Sequence, residues 1–260
     1  SPTSGGTITY RWVNSNPTIG LAQSGSGSSA SFVCTNTGTS PAVATITVVP
    51  NFSFNGSSCD GPSKTFTITV NPSGQVNQPQ SQVKCNGDLA LGTRFTTLQS
   101  GGVVSYAWTN STPSIGLAPF GTGDIDSFRV VNSGNAPVIA TINVVPTFTN
   151  GGISCSGPSK SFTITVNPTA QVEQPQDQTV CNGDNVTVEF FTNNAVGNIS
   201  YTWFADIDIG LGLTGEGDLN FTAINQTTSP IISNISVVST FEDGLNNCTG
   251  AVKNFVIKVN

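Results

Sequence analysis

The chain has no histidine and no methionine, and only 8% of its 260 residues are charged. The missing histidine removes Ser–His–Asp triads, Cys–His dyads and histidine-ligated zinc sites together. So little charge is uncommon in a cytosolic protein. Eight Lys and Arg against 14 Asp and Glu leave a formal net charge of −6 and no basic patch to hold nucleic acid. No apolar run approaches the roughly 20 residues of a bilayer-crossing helix, so no membrane span is expected within this sequence. Polarity comes instead from Thr, Ser, Asn, Gln and Gly, which solvate strand faces and turns without ion pairs.

What the chain does have is a repeat. A shift of 96 residues places Tyr10 and Trp12 on Tyr106 and Trp108, and Ile19–Gly20–Leu21 on Ile115–Gly116–Leu117. The same shift places Cys59 on Cys155 and the run Phe66 to Pro72 on Phe162 to Pro168. A more divergent copy carries Tyr201, Trp203, Ile209–Gly210–Leu211, Cys248 and Phe255–Val256–Ile257. A period this long is a domain and not a solenoid unit. The expected domains are copy one at 1–72, copy two at 73–168 and copy three at 169–260. The counterpart of Val83–Lys84–Cys85 would fall about ten residues before Ser1. Copy one is therefore expected to lack its opening strand, to be completed by upstream sequence of a longer array or by another chain.

Apolar residues alternate with a period of two. Val104, Tyr106 and Trp108 share a face, as do Ile8, Tyr10 and Trp12, and Ile199, Tyr201 and Trp203. Phe66, Ile68 and Val70 alternate with threonines, Ile125 to Val130 reads as another strand, and Ala140 to Val144 as one that ends near Pro146. No segment has a helical period. About seven short strands in some 95 residues, with a Trp on a central strand, predict an all-β fold of immunoglobulin-like sandwiches. A barrel is the alternative. The linkers Asn71 to Pro79 and Asn167 to Pro175 are short and contain proline, so the domains are expected in line, with limited bending. Three such sandwiches would span on the order of 100 Å.

Cys85 and Cys155 in copy two hold the places of Cys181 and Cys248 in copy three. This recurrence predicts one disulfide inside each copy, Cys85–Cys155 and Cys181–Cys248, and hence an oxidising compartment. A metal site is the competing reading, but two thiols per copy without histidine make a poor ligand set. Cys59 is left without its counterpart partner. Cys34, where Val130 and Ala223 stand in the other copies, is expected to be a small buried apolar residue, with a Cys34–Cys59 bond as the alternative.

Few residues suggest chemistry. Asp124 and Asp126 lie in a Gly-rich turn, Glu216 and Asp218 in its counterpart, and Asp206 and Asp208 close by in sequence. Clustered loop carboxylates can hold Ca²⁺, the one candidate cofactor. Copy one has Ser26, Ser28 and Ser29 there instead, which is the pattern of a solvated turn. A glycosidase carboxylate pair would need a cleft and an aromatic platform, for which no insertion exists. Gly-x-Gly in these turns precedes no helix, so a phosphate cradle lacks its context.

Val-x-Cys-Asn-Gly or Val-Cys-Asn-Gly (Val83 to Gly87, Val180 to Gly183), Tyr-x-Trp, Ile-Gly-Leu, Asn-x-Gly-x-x-Pro, Cys-x-Gly-Pro-Ser-Lys and Phe-Thr-Ile-Thr-Val-Asn-Pro recur along the chain. Together they resemble the PKD-like, immunoglobulin-type repeats of giant surface proteins of the Bacteroidota, including gliding-motility adhesins of the SprB kind. The resemblance spans essentially all of the sequence. It implies a β-sandwich array at the cell surface, exported by type IX secretion. It further implies a stalk in adhesion or gliding, with neighbouring repeats and the outer-membrane secretion and motility machinery as partners. The competing functions are a module that binds surface glycans or proteins, for which Phe120 and Phe204 are the suggestive departures, and a non-catalytic region of an exported enzyme. No catalytic residue is expected.

Overall fold

The computed structural model describes residues 5–243 and 246–260. Copy one contains β1 (Thr7–Asn14), β2 (Ser24–Ser26), β3 (Ala42–Phe54), β4 (Ser57–Asp60) and β5 (Lys64–Val70). Copy two contains β6 (Gln82–Cys85), β7 (Leu89–Ala90), β8 (Val103–Asn110), β9 (Phe120–Thr122), β10 (Phe128–Arg129), β11 (Val138–Asn150), β12 (Ile153–Ser156) and β13 (Lys160–Asn167). Copy three contains β14 (Gln178–Val180), β15 (Asn185–Val188), β16 (Asn198–Ala205), β17 (Thr214–Glu216), β18 (Leu219–Thr222), β19 (Ile231–Glu242), β20 (Asn247–Thr249) and β21 (Lys253–Val259). The fold is all-β: copies two and three are immunoglobulin-like sandwiches, and copy one forms a single sheet among the described residues.

In copy two the large sheet has the order β6-β13-β11-β8-β9, with β12 also on β11, and β7 and β10 form the small facing sheet. Copy three repeats this with β14-β21-β19-β16-β17 and the pair β15–β18. The opening strands β6 and β14 run parallel to the last strands β13 and β21; the other ladders are antiparallel. Alternate residues of each strand enter the core, as a period of two demands. Trp108, Ile142, Val144, Phe162 and Ile164 pack in copy two, and Trp203, Ile235, Val237, Phe255 and Ile257 in copy three.

Two expected strands differ. The stretch Ile125 to Val130 is strand only at Phe128–Arg129, with a single bridge from Ile125 to Thr93. Nor does Pro146 end its strand, because β11 runs through to Asn150. The Pro146 carbonyl accepts from Gly157 N at 2.9 Å, on the side where β12 has ended and β13 has not begun. A residue's N–H and C=O point to the same neighbour in a strand, so the missing N–H falls in that gap and costs no ladder bond.

The recurring motifs are structural. In Ile-Gly-Leu, Ile115 and Ile209 are fully buried, and Gly116 and Gly210 have φ of 95° and 97°, open only to glycine without strain. In Asn-x-Gly-x-x-Pro, the Asn132 side chain donates to Ala136 O at 2.8 Å and Val166 O at 2.7 Å, and accepts from Gly134 N at 3.0 Å. The first glycine of Gly-x-Gly lies flat on the tryptophan. A Cβ on Gly25, Gly121 or Gly215 would come within 2.2–2.3 Å of the indole of Trp12, Trp108 or Trp203.

Candidate functional site: the copy junctions and an open face

Most of the candidate carboxylates hold backbone. Asp124 accepts from Phe95 N at 2.9 Å and Asp218 from Phe190 N at 2.8 Å, pinning the segments whose rings stack beside Tyr106 and Tyr201. Asp206 accepts from the Asn234 backbone N–H at 2.8 Å and side-chain amide at 2.7 Å. Asp208 accepts from Gly210 N and Gly212 N, each at 2.9 Å. These bonds hold both carboxyls below the ordinary carboxylate range, through the Asn234 amide first for Asp206 and the Gly212 N–H first for Asp208. Asp126 and Glu216 are exposed. Among the described residues no three His, Cys, Asp or Glu side chains gather as metal ligands. Phe120 and Phe204 are exposed single rings. Each sits opposite a threonine on the same two-strand edge, Phe120 beside Thr109 and Phe204 beside Thr214.

The cysteines correct the sequence reading. The bond is Cys85–Cys248, between copies two and three, with Cα atoms 5.4 Å apart; Cys34, Cys59, Cys155 and Cys181 are free. The expected intracopy bonds Cys85–Cys155 and Cys181–Cys248 do not form. The reason is strand direction. Cys85 lies opposite Asn167, next to the Val166–Val138 pair where β11 begins. Cys155 lies opposite Phe148 on the same strand β11. The ten residues from Val138 to Phe148 measure about 33 Å, far beyond the roughly 7 Å Cα separation a disulfide spans. Cys85 is at the exit end of its copy and Cys155 at the entry end, so each can meet only an adjacent copy. Cys34 also departs from expectation: it is exposed, whereas Val130 and Ala223 in its place are fully buried.

The two junctions share a set of contacts. At the first, the Asn71 side chain donates to Asn150 O at 3.0 Å and accepts from the Asn150 amide at 3.0 Å. At the second, Asn167 donates to Asp243, the residue in the place of Asn150. Loop tips meet as well: Ser100 N donates to Thr39 O at 2.9 Å, and Ala195 N to Asn135 O at 2.9 Å. The linker presses on backbone, so that a Cβ on Gly157 would lie 1.7 Å from Gly74 O, and one on Gly250 2.2 Å from Ala170 O. The second junction adds the disulfide and a small apolar cluster of Ala170, Phe241 and Cys248 with Cys85 and Ile199. The recurring Asn71, Asn167, Gly157 and Gly250 were the sequence signal for these joints, but nothing in one copy's pattern says that they face another copy.

Copy one has an open face. Its sheet ends at β5, which pairs with β3, whereas β13 and β21 carry an opening strand on their outer edge. Phe66 is 53% exposed, while Phe162 and Phe255 in its place are 3% and 2% exposed. Tyr10, Trp12, Leu21, Ile46, Phe66 and Ile68 line a groove of about 530 Å³ where the other copies are filled.

No family model matches the chain, and no curated protein does. Among solved structures, three N-terminal domains of the Highly Immunogenic Outer Capsid protein of bacteriophage RB49 are similar at 12% identity and TM-score 0.47, over 100% of this chain and 90% of that one. Drosophila N-cadherin EC1-4 is similar at 14% identity and TM-score 0.30, over 100% and 68%. The N-terminal Ig1-2 module of the Drosophila receptor protein tyrosine phosphatase DLAR is similar at 15% identity and TM-score 0.24, over 72% and 100%. Among the described residues no helix is long and apolar enough to cross a membrane.

Proposed function

We propose that this chain is an extracellular spacer: a stiff segment of a large repetitive surface adhesin that serves adhesion or gliding. The observation that carries the reading is the joint built twice, with Asn71–Asn150 and Asn167–Asp243 in matching places. A repeated joint fixes the angle between successive copies and so turns copy number into length. The intercopy disulfide fits an oxidising compartment. The recurring residues, the turn acids Asp124 and Asp218 among them, serve core, turn and joint, whereas Asp126, Asp206, Asp208 and Glu216 have no carboxylate counterpart in the other copies. A binding array gains avidity by repeating its contacts, and these four carboxylates do not repeat. The resemblance of the motifs to Bacteroidota repeats supports type IX export and the outer-membrane motility machinery as the setting.

The test is an in-frame deletion of residues 73–168 from the polypeptide that carries them. The surface filament is expected to shorten while export and adhesion persist. Lost adhesion with export unchanged would overturn the spacer reading and favour a glycan- or protein-binding module.

A further inference from the structure

We propose that the open face of copy one is a seat for a further opening segment of the same module, whose cysteine then closes an intercopy disulfide with Cys155. Three observations converge. The outer edge of β5 is unpaired among the described residues, although β13 and β21 hold β6 and β14 there in parallel register. The groove above β5 exposes the counterparts of side chains that Val76, Ala90 and Phe95 help to bury in copy two. Cys155 is free, although its counterpart Cys248 is bonded to the opening-strand cysteine of the preceding copy.

The seat specifies its occupant. In copy two, Gln78 Nε2 donates to Ser161 O at 2.7 Å, Ser81 accepts from Thr163 N at 3.0 Å, and Asn86 accepts from Asn132 N at 2.9 Å. Gly87 N then donates to Val130 O at 2.9 Å and Val130 N to Asp88 O at 2.9 Å. The matching groups in copy one are those of Thr65, Thr67, Asn36 and Cys34. The occupant is therefore an extended segment of the type Gln-Pro-Gln-x-x-Val-x-Cys-Asn-Gly-Asp, apolar at the core-facing positions. A second copy of this chain has none to spare, because both of its opening segments are seated in their own sandwiches. The donor is an opening segment of this type that is not already seated in its own sandwich. Paired with β5 in the register of β6 on β13, its cysteine stands opposite Asn71, at the joint where Asn71 meets Asn150 and beside β12. Cys59 is in the same copy as the groove but at its far end.

The test uses a peptide of residues 76–95 with its cysteine activated as a 2-thiopyridyl disulfide. Attack by the Cys155 thiolate on the peptide sulfur forms the new S–S bond and breaks the S–S bond to the 2-thiopyridyl group. Pyridine-2-thiolate leaves with the electron pair and takes up the proton that the Cys155 thiol released, giving pyridine-2-thione. Peptide mapping should find Cys155 labelled about tenfold or more faster than Cys34, Cys59 and Cys181, since seating raises the local concentration. These three are exposed and Cys155 is only half-exposed, so untemplated chemistry gives the opposite order. In Cys155→Ser the cross-link should vanish while hydrogen exchange at 64–70 is still slowed. A scrambled peptide should do neither. Preferential labelling of Cys34, Cys59 or Cys181, or unchanged exchange at 64–70, would overturn the proposal. So would concentration-dependent dimerisation of the chain that the peptide cannot displace.

Discussion

Removing the Cys85–Cys248 bond tests the joint most directly. The bond closes a loop of 163 residues in sequence. In the chain-entropy model such a loop contributes about 5 kcal/mol when both copies unfold. If copy three unfolds alone, the loop runs from Asn167, which Cys85 faces, to Cys248, or 81 residues (248 − 167). The contribution is then about 4.5 kcal/mol, because the dependence on length is logarithmic. Measured disulfides deliver about 2–4 kcal/mol, which in a domain this size lowers the melting temperature by roughly 10–20 °C. Cys248 is buried in an apolar cluster, so Cys248→Ser also strands a hydroxyl. Cys85→Ser, at a half-buried site, isolates the loss of the bond. Calorimetry should show copies two and three melting earlier in Cys85→Ser, with copy one unchanged. The double variant should add little beyond Cys248→Ser, since the two residues act as a unit. An unchanged thermogram for Cys85→Ser, or mapping that finds Cys85 bonded to Cys155, would refute the argument from strand direction.

Two further outcomes follow from the packing and the turns. Gly121→Ala and Gly215→Ala drive a Cβ into the Trp108 and Trp203 rings, so each should cost about 1–3 kcal/mol by denaturant unfolding; an unperturbed variant would mean that the indole is free to move. Asp206 and Asp208 have folded-state pKa values below their ordinary 3.8, so their bonds stabilise copy three fully above that value and are lost as pH falls through the lower folded values. Asp206→Ala should therefore lower the melting temperature at neutral pH but not in strong acid, and a deficit that persists in acid would locate the effect elsewhere.

The fold was legible because strand alternation is a local property. Tyr106 and Trp108, or Phe162 and Ile164, declare their face within one segment. The turn acids were legible only as a cluster of carboxylates. That Asp124 spends its oxygen on Phe95 N depends on where a distant segment crosses, which spacing does not encode. The cysteines were misread for a similar reason. Recurrence fixes a residue's place within a copy, but it is equally compatible with pairing inside one copy and pairing between neighbours. The deciding fact is the parallel pairing of β6 with β13, which carries Cys85 to the exit end of its domain. Pro146 shows the same limit: whether a missing N–H ends a strand depends on which side its neighbour has already left.

The joints also explain how a chain with so little charge can keep its copies aligned. A single flexible linker acts as a universal joint and leaves domains free to swing. At the second junction the backbone through Asn167 and the Cys85–Cys248 bond are two covalent tethers at one end of the domain, and motion is limited to rotations that keep both lengths. The first junction has an asparagine contact in the corresponding place and the same close backbone crossing, without the bond. The second joint adds the disulfide and the small apolar cluster around it, so spin-label distance distributions measured across both joints, before and after reduction, read the effect of the bond. The distribution across the first should be the broader, and reduction should broaden the second toward it. If the two are equally narrow before and after reduction, the hydrogen-bonded joint alone sets the angle, and the disulfide contributes resistance to unfolding and not stiffness.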